Sequence, residues 1–453
     1  MLKDWKKILL LAIPSIASFA SMTLTGTINL IMVGQLGALA IAIVGVSNII
    51  MYNAWAIFSG IGHTVNYLVA QNYGSKNIKK GVERTYIAFY LCMIASLFIF
   101  VVGLLFPGDI FRVMGSSTEM IEQGKNYLQI RFFAMMFSIF IFVFHGFFRG
   151  IGDTKTPMIS SVIGNLIMIF LTYGLTYGHF GLPEIGLDGA GLAFLIGEVV
   201  IFLLCAYVYF FRLHSRFATR KIVPFNKSES KLIFGESSKL GVQEFSMSMA
   251  MFVFTAFVTR LGTNALAANE VALSVMSLGF MPAFAFGSTA TILVGQEIGK
   301  GKPLEGRKAG TNTAILGCIF LFILGIIQYI LAEPIAKIYT DDVSVYVLAS
   351  KLIMISSFLQ LFDGLLNFYA GGLRGIGDTS FLLKTSLILG WLLFIPLSYV
   401  LTFVLELSSV GAWISLYTYL TFFGVAVMIR FYRQDWSIIK LKTSGNEIQE
   451  SVS

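Results

Sequence analysis

The chain has 453 residues, 56% of them hydrophobic and only 12% charged, with a mean hydropathy of +0.80. Soluble domains carry about 25% charged residues, so this composition excludes an ordinary soluble protein and places most of the chain in lipid. The net charge of +8 does not mark a nucleic-acid surface, because the basic residues fall in short loops between apolar runs.

Runs long enough to cross a bilayer, about 20 residues each, fall near 8–34, 40–70, 87–106, 127–148, 157–180 and 188–211 in the first half. In the second half they fall near 236–259, 264–295, 310–332, 350–373, 381–404 and 410–430. The first run lacks a small-residue cleavage site and is too long for a signal peptide, so it reads as a span. Twelve spans put both termini on one side. Lys3, Lys6 and Lys7 precede the first, and Lys76, Lys79, Lys80 and Arg84 follow the second. Arg212, Arg216, Arg220, Lys221, Lys227 and Lys231 fill the central connection. The positive-inside rule therefore puts the termini and this connection in the cytoplasm, with the chain multi-pass in the cell membrane. The organisation expected is a six-helix lobe over 1–211, a basic connection over 212–235, a second six-helix lobe over 236–430 and a cytoplasmic tail over 431–453. From Lys442 onward the tail reads as unstructured. Cys92, Cys205 and Cys318 lie far apart in apolar runs and suggest neither a disulfide framework nor a metal site.

The two lobes are a repeat. Arg149-Gly150-Ile151-Gly152-Asp153-Thr154 returns as Arg374-Gly375-Ile376-Gly377-Asp378-Thr379, 225 positions on. The same shift carries Leu36-Gly37 onto Leu261-Gly262, and Gln71 with Gly74 onto Gln296 with Gly299. The fold class expected is an all-α integral membrane protein of two pseudo-symmetric lobes. Six spans per lobe give both lobes the same orientation, as in parallel-repeat transporters. In the repeated phrase, Arg149 and Arg374 meet the negative end of a helix dipole, and the glycines permit a tight turn. Asp153 and Asp378 can cap the next helix, as can Thr156 ahead of Pro157. Loop architecture alone accounts for the phrase; a hinge between transport states is the functional alternative.

Together the two RGxGDT phrases, the paired QxxG and LG motifs, Trp391 with Pro396, and Gly411-Ala412-Trp413 resemble the multidrug and toxic compound extrusion (MATE) family over nearly the whole chain. The resemblance implies two six-helix bundles around a central cavity. It implies export of cationic, amphiphilic compounds in exchange for Na⁺ or H⁺, with no resident cofactor and no enzyme activity. A monomer is expected, with small molecules and the bilayer as its partners and no nucleic acid.

An ionisable group at the bilayer centre costs about 2.5–3.5 kcal/mol on insertion scales, so each needs a reason. Asp363 stands alone in the tenth span, eleven residues before Arg374. The NorM-like branch of the family has a functional aspartate at that spacing, so the resemblance makes Asp363 the coupling carboxylate and a candidate Na⁺ ligand. Its counterpart in the first repeat is Ser138, which reads as an unduplicated site. A glutamate of the seventh helix partners the aspartate in that branch. Counting from Leu261-Gly262, its place is Met247, and Glu244 lies one turn earlier on the same face. Glu270, near the start of the eighth span, is a candidate cavity residue or a helix-start carboxylate stabilised by the dipole. Glu198 stands in the sixth span without an evident polar neighbour, and His63 and His145 read as satisfied by neighbouring helices. The methionines Met247, Met249, Met251, Met276 and Met281 read as adaptable cavity lining or as ordinary packing.

The DinF-like branch uses a first-helix aspartate, which here is Asn29, and a fifth-helix aspartate, which here is about Thr172. Both are cavity candidates, but neither exchanges a proton. The alternative function is a flippase for lipid-linked oligosaccharides, which would want a cationic cavity. A membrane enzyme would need convergent nucleophile and base groups, and the histidines and cysteines are scattered.

Overall fold

The structure is a computed structural model that describes residues 2–339 and 342–443. Among these residues, twelve helices are long and apolar enough to cross a membrane. They are α1 (Leu2–Gly34), α2 (Ala38–Gly74), α3 (Ile78–Leu105), α4 (Thr118–Gly150), α5 (Lys155–Tyr177) and α6 (Leu187–Arg212). The second half holds α7 (Lys227–Thr259), α8 (Thr263–Gly299), α9 (Pro303–Ile330), α10 (Val343–Ile376), α11 (Thr379–Val404) and α12 (Ser408–Arg433). No strand occurs among the described residues. The surface is that of a multi-pass membrane protein. On α3, Met93, Ile94, Leu97 and Phe98 are each more than half exposed and form a helical apolar stripe that only lipid would cover.

Several helices start well before the apolar runs do: α3 at Ile78, α4 at Thr118 and α7 at Lys227. Hydropathy marks only the part in lipid, whereas a helix continues as long as its first N–H groups are satisfied. The Asn77 side chain accepts from Lys80 N, and the Ser117 side chain from Met120 N.

The repeat is visible in the packing. Gly146 of α4 lies against the Gly62 carbonyl of α2, and 225 positions later Gly371 of α10 lies against the Gly287 carbonyl of α8. A Cβ at 146 or 371 would overlap that carbonyl, so glycine sets the approach of both helix pairs.

The chain divides into two compact units. One holds 17–69 and 77–241. In it the connection between the repeats is tied down. Arg84 Nε and Lys80 Nζ of α3 lie 2.9 and 3.1 Å from the two oxygens of Glu229, in the first turn of α7, and Glu229 is fully buried. The hydroxyls of Tyr86 and Tyr90 donate to the carbonyls of Thr219 and Val223, both at 2.7 Å. The Tyr67 hydroxyl donates to Glu236 at 3.0 Å. The connection expected from its basic residues is therefore held through acidic ones, Glu229 within it and Glu236 just beyond it.

The other unit holds 2–16, 70–76 and 242–442. In it the two QxxG motifs cross. A Cβ on Gly74 would meet the Gln296 carbonyl, and one on Gly299 would meet the Gln71 carbonyl. Gln71 Nε2 donates to the Gly375 carbonyl at 2.8 Å. The segment after α12 lies across this end of the unit. Trp436 is buried against Phe431 at 4.7 Å, and its Nε1 donates to the Phe431 carbonyl. Lys442 N donates to Gln71 Oε1 at 3.0 Å and Lys442 Nζ to the Gly377 carbonyl at 3.2 Å. Through Lys442, at least, the tail has fixed partners; the rest of the stretch read as unstructured lies outside the described residues from 444 on.

Candidate functional site

Asp363 sits mid-way along α10, 5% exposed. Among the described residues its carboxylate has one hydrogen-bond partner, the Asn367 amide, which donates to Oδ1 at 3.2 Å and to the Asp363 carbonyl at 2.9 Å. Asn367 is one turn on. Arg374 is eleven residues on, which on a helix is the same face again, about 16 Å away along the axis.

At that level Glu244 of α7 meets Arg374, with Oε1 3.2 Å from Nη2. The family pairing points from Glu244 toward Asp363; the bonded partner of Glu244 in this structure is the arginine. The buried Tyr419 of α12 lies within electrostatic reach of both Glu244 and Asp363, and its hydroxyl has no hydrogen-bond partner among the described residues. One polar face of the second repeat thus carries Asp363, Asn367, Tyr419, Glu244 and Arg374. Asn367 and Arg374 were readable from their spacing to Asp363. Tyr419 was not, because nothing in α12's sequence points to α10.

Glu270 is exposed, and Asn269 beside it accepts from Trp413 Nε1 at 3.0 Å. Met247 and Met251 share a face of α7 and are half-buried, Met249 lies on another face, and Met281 of α8 is buried. Trp391 Nε1 donates to Ser246 at 2.9 Å. Pro396 lies in a short α-helical stretch of α11, Ile395–Tyr399, bracketed by two π-helical stretches, Ile388–Phe394 and Val400–Val404, a backbone irregularity frequent at functional sites.

In the first repeat, Asn29 Oδ1 and Thr172 Oγ1 are buried and have no hydrogen-bond partner among the described residues. His145 Nε2 lies 3.4 Å from Ser160 Oγ of α5, and His63 packs edge-on against Phe142 of α4. Glu198 does have a polar neighbour: Ser138 Oγ of α4 donates to it at 2.7 Å.

The repeated phrase is used differently in its two copies. Arg149 lies over the Phe19 ring at 4.9 Å, where Arg374 has Glu244. Asp153 caps α5, accepting from the N–H groups of Lys155 and Thr156 and from the Thr156 hydroxyl at 2.5 Å. Thr156 is thus inside the helix and not its cap. Asp378 makes no capping bond; its carboxylate takes Arg430 Nε at 2.8 Å. The shared features are Gly152 and Gly377, with φ of 86° and 81°, which need glycine.

The MatE family model matches residues 14–174 and again 240–400, one match per repeat. The chain belongs to the MatE family. It is 26% identical over 432 residues to a probable multidrug resistance protein NorM of Thermotoga maritima, spanning 95% of this chain and 93% of that one. It is 28% identical over 450 residues to the multidrug resistance protein MdtK of Photorhabdus laumondii, with 96% of each covered. The crystal structure of MATE in the straight conformation superposes with a TM-score of 0.86 at 20% identity, covering 95% of this MatE chain and 96% of that one. A MOP superfamily transporter from Pyrococcus furiosus superposes with a TM-score of 0.87 at 21% identity, with 95% of each covered. These likenesses establish the fold.

Proposed function

We propose that the protein is a secondary active multidrug efflux antiporter. It exports lipophilic cations in exchange for Na⁺ or H⁺ by alternating exposure of its sites to the two sides of the cell membrane. Asp363 carries the reading. A buried mid-span carboxylate with, among the described residues, only an amide for a partner calls for neutralisation by something mobile, a proton or a small cation. The family's multidrug members supply the substrate class, and both termini are assigned to the cytoplasm from the distribution of lysine and arginine.

In this scheme Asp363 takes up the ion from outside, and Asn367 and Tyr419 turn their polar groups to the neutralised carboxyl. Glu244 stays matched to Arg374 and holds α7 to the end of α10. Releasing the ion inside drives the return. One charge moving through 100 mV supplies about 2.3 kcal/mol, somewhat under two decades of drug gradient. A flippase for lipid-linked oligosaccharides is less well supported, since the relatives carry multidrug names and Asp363 is acidic.

The test is efflux of a fluorescent lipophilic cation from loaded cells or inverted vesicles, wild type beside Asp363→Asn, with Na⁺ and pH gradients imposed separately. Export by wild type under one gradient and its loss in Asp363→Asn supports the reading and names the ion. Equal export by both overturns the role of Asp363. Export by neither overturns the efflux reading.

A further inference from the structure

The first repeat holds a carboxylate that coupling through Asp363 leaves unused. Glu198 stands in the middle of α6, in Leu195-Ile196-Gly197-Glu198-Val199-Val200. Its Oε2 accepts from Ser138 Oγ at 2.7 Å. Ser138 is the residue 225 positions before Asp363, and 225 positions after Glu198 comes Phe423. The helix pairs α4 with α6 and α10 with α12 correspond in the two repeats, and each pair packs together. Gly424 lies against the backbone of Phe362 and Leu366, so position 423 is level with Asp363. Each repeat therefore has one carboxyl at the same place in the same helix pair. In the second it is on α10, and in the first it has moved across to α6, leaving a serine to hold it. The site read from sequence as unduplicated has a counterpart, with its carboxyl on the other helix of the pair.

The surroundings choose the ligand. On α4, Arg131, Ser138 and His145 recur every seven residues, on one face. Arg131 is an electrostatic neighbour of Glu198. Its Nη1 donates to Asn48 Oδ1 at 3.1 Å and to the Tyr127 hydroxyl at 2.9 Å, and its guanidinium stacks 4.0 Å over Phe194, one turn before Glu198. Toward the other end, Cys205 Sγ donates to Ser160 Oγ at 3.5 Å, and Ser160 also meets His145. The facing helix α5 has no ionisable side chain between Lys155 and Tyr173. One carboxylate, one hydroxyl and a nearby guanidinium offer too few oxygens, and the wrong charge, for a metal cation. A proton fits.

We propose that Glu198, held by Ser138, is a proton-carrying site of the first repeat, and, resting on the antiporter reading above, that it exchanges its proton during transport. On uptake the proton joins a carboxylate oxygen, and the Ser138 hydroxyl turns from donor to acceptor; on release both revert.

The first arm of the test needs no substrate. Purified full-length protein in lipid is followed by pH-difference infrared spectroscopy, wild type beside Glu198→Gln and Ser138→Ala. The expected result is a protonated-carboxyl band that Glu198→Gln removes and Ser138→Ala moves to a different pH. A spectrum untouched by either substitution overturns the proposal. Ser138→Ala keeps the carboxyl and serves if Glu198→Gln does not fold. The second arm counts protons released per tetraphenylphosphonium bound. Glu198→Gln should lower the count, to half where Asp363 also carries a proton and to nothing where Asp363 carries Na⁺. A count lowered by Asp363→Asn alone overturns the role of Glu198 in exchange and leaves the antiporter reading standing. Wild type that neither binds nor moves the cation, with the infrared band still answering to Glu198, overturns the efflux reading and leaves the titration established.

Discussion

Arg374 donates to Glu244 at 3.2 Å, and its counterpart in the first repeat, Arg149, lies over Phe19, the counterpart of Glu244. Duplication has kept the cation at the end of the helix and changed what it meets. Both arginines are buried, so each needs compensation. In the second repeat it is an ion pair; in the first it is a ring face and the negative end of α4.

This predicts an asymmetric response to substitution. Arg374→Met leaves Glu244 unpaired and should cost about 3 kcal/mol or more, as removing one partner of a buried pair does. Arg374→Met with Glu244→Gln should recover most of it. In the first repeat, Phe19→Leu should cost about 1 kcal/mol, the scale of a lost cation–π contact. Thermal unfolding of purified protein in detergent checks all three. A double substitution no better than Arg374→Met alone would count against the pairing.

The twelve helices, the repeat and Asp363 were legible because hydropathy, internal self-similarity and a lone charge in an apolar run are all local signals. The pairings were not. Whether Glu244 meets Asp363 could not be read from sequence; its bonded partner is Arg374, eleven residues further along α10. Glu198 was read as lacking a polar neighbour because Ser138, sixty residues away, carries no signal of its own. The Asp378 carboxylate left its cap for Arg430 for the same reason: a tertiary partner outweighed a local one.

The crossing of the QxxG motifs predicts where added bulk is forbidden. At Gly74 and Gly299 a Cβ would run into a backbone carbonyl, which cannot swing aside as a side chain can. Gly299→Val should lower the unfolding temperature and abolish efflux. Gly45, also in α2, faces open space, so Gly45→Ala should be neutral, or stabilising by about 0.5–1 kcal/mol through helix propensity. Equal tolerance at both sites would show that the crossing does not persist in the working protein.

The clamp on the connection predicts a strong effect from one acidic residue in a basic segment. Glu229→Gln leaves Arg84 buried without its charge partner and should cost about 3–5 kcal/mol. Lys80→Ala, from the more accessible side of the same carboxylate, should cost about 1 kcal/mol or less. Limited proteolysis within 212–226 gives the readout, with cleavage much faster in Glu229→Gln than in Lys80→Ala. Similar rates in the two variants would mean that the tyrosine contacts at Thr219 and Val223 hold the connection without the ion pair.

The segment after α12 predicts a pH response on the acid side. The Asp435 carboxylate accepts from the Ser437 hydroxyl and backbone N–H, and these bonds hold it below the usual carboxylate range. A carboxyl depressed in the folded state contributes order that is fully present above its unfolded pKa and is lost as pH falls through the folded one. Order around Trp436 should therefore persist at neutral pH and weaken only below the ordinary aspartate range. Asp435→Asn should remove the pH dependence, and Trp436→Ala should free the segment at every pH, since emptying a buried tryptophan site costs about 3–5 kcal/mol. Hydrogen exchange over 434–442 measures both. If Trp436→Ala left Lys442 as protected as in wild type, the hold on Gln71 and Gly377 would come from Lys442 itself and not from the buried ring.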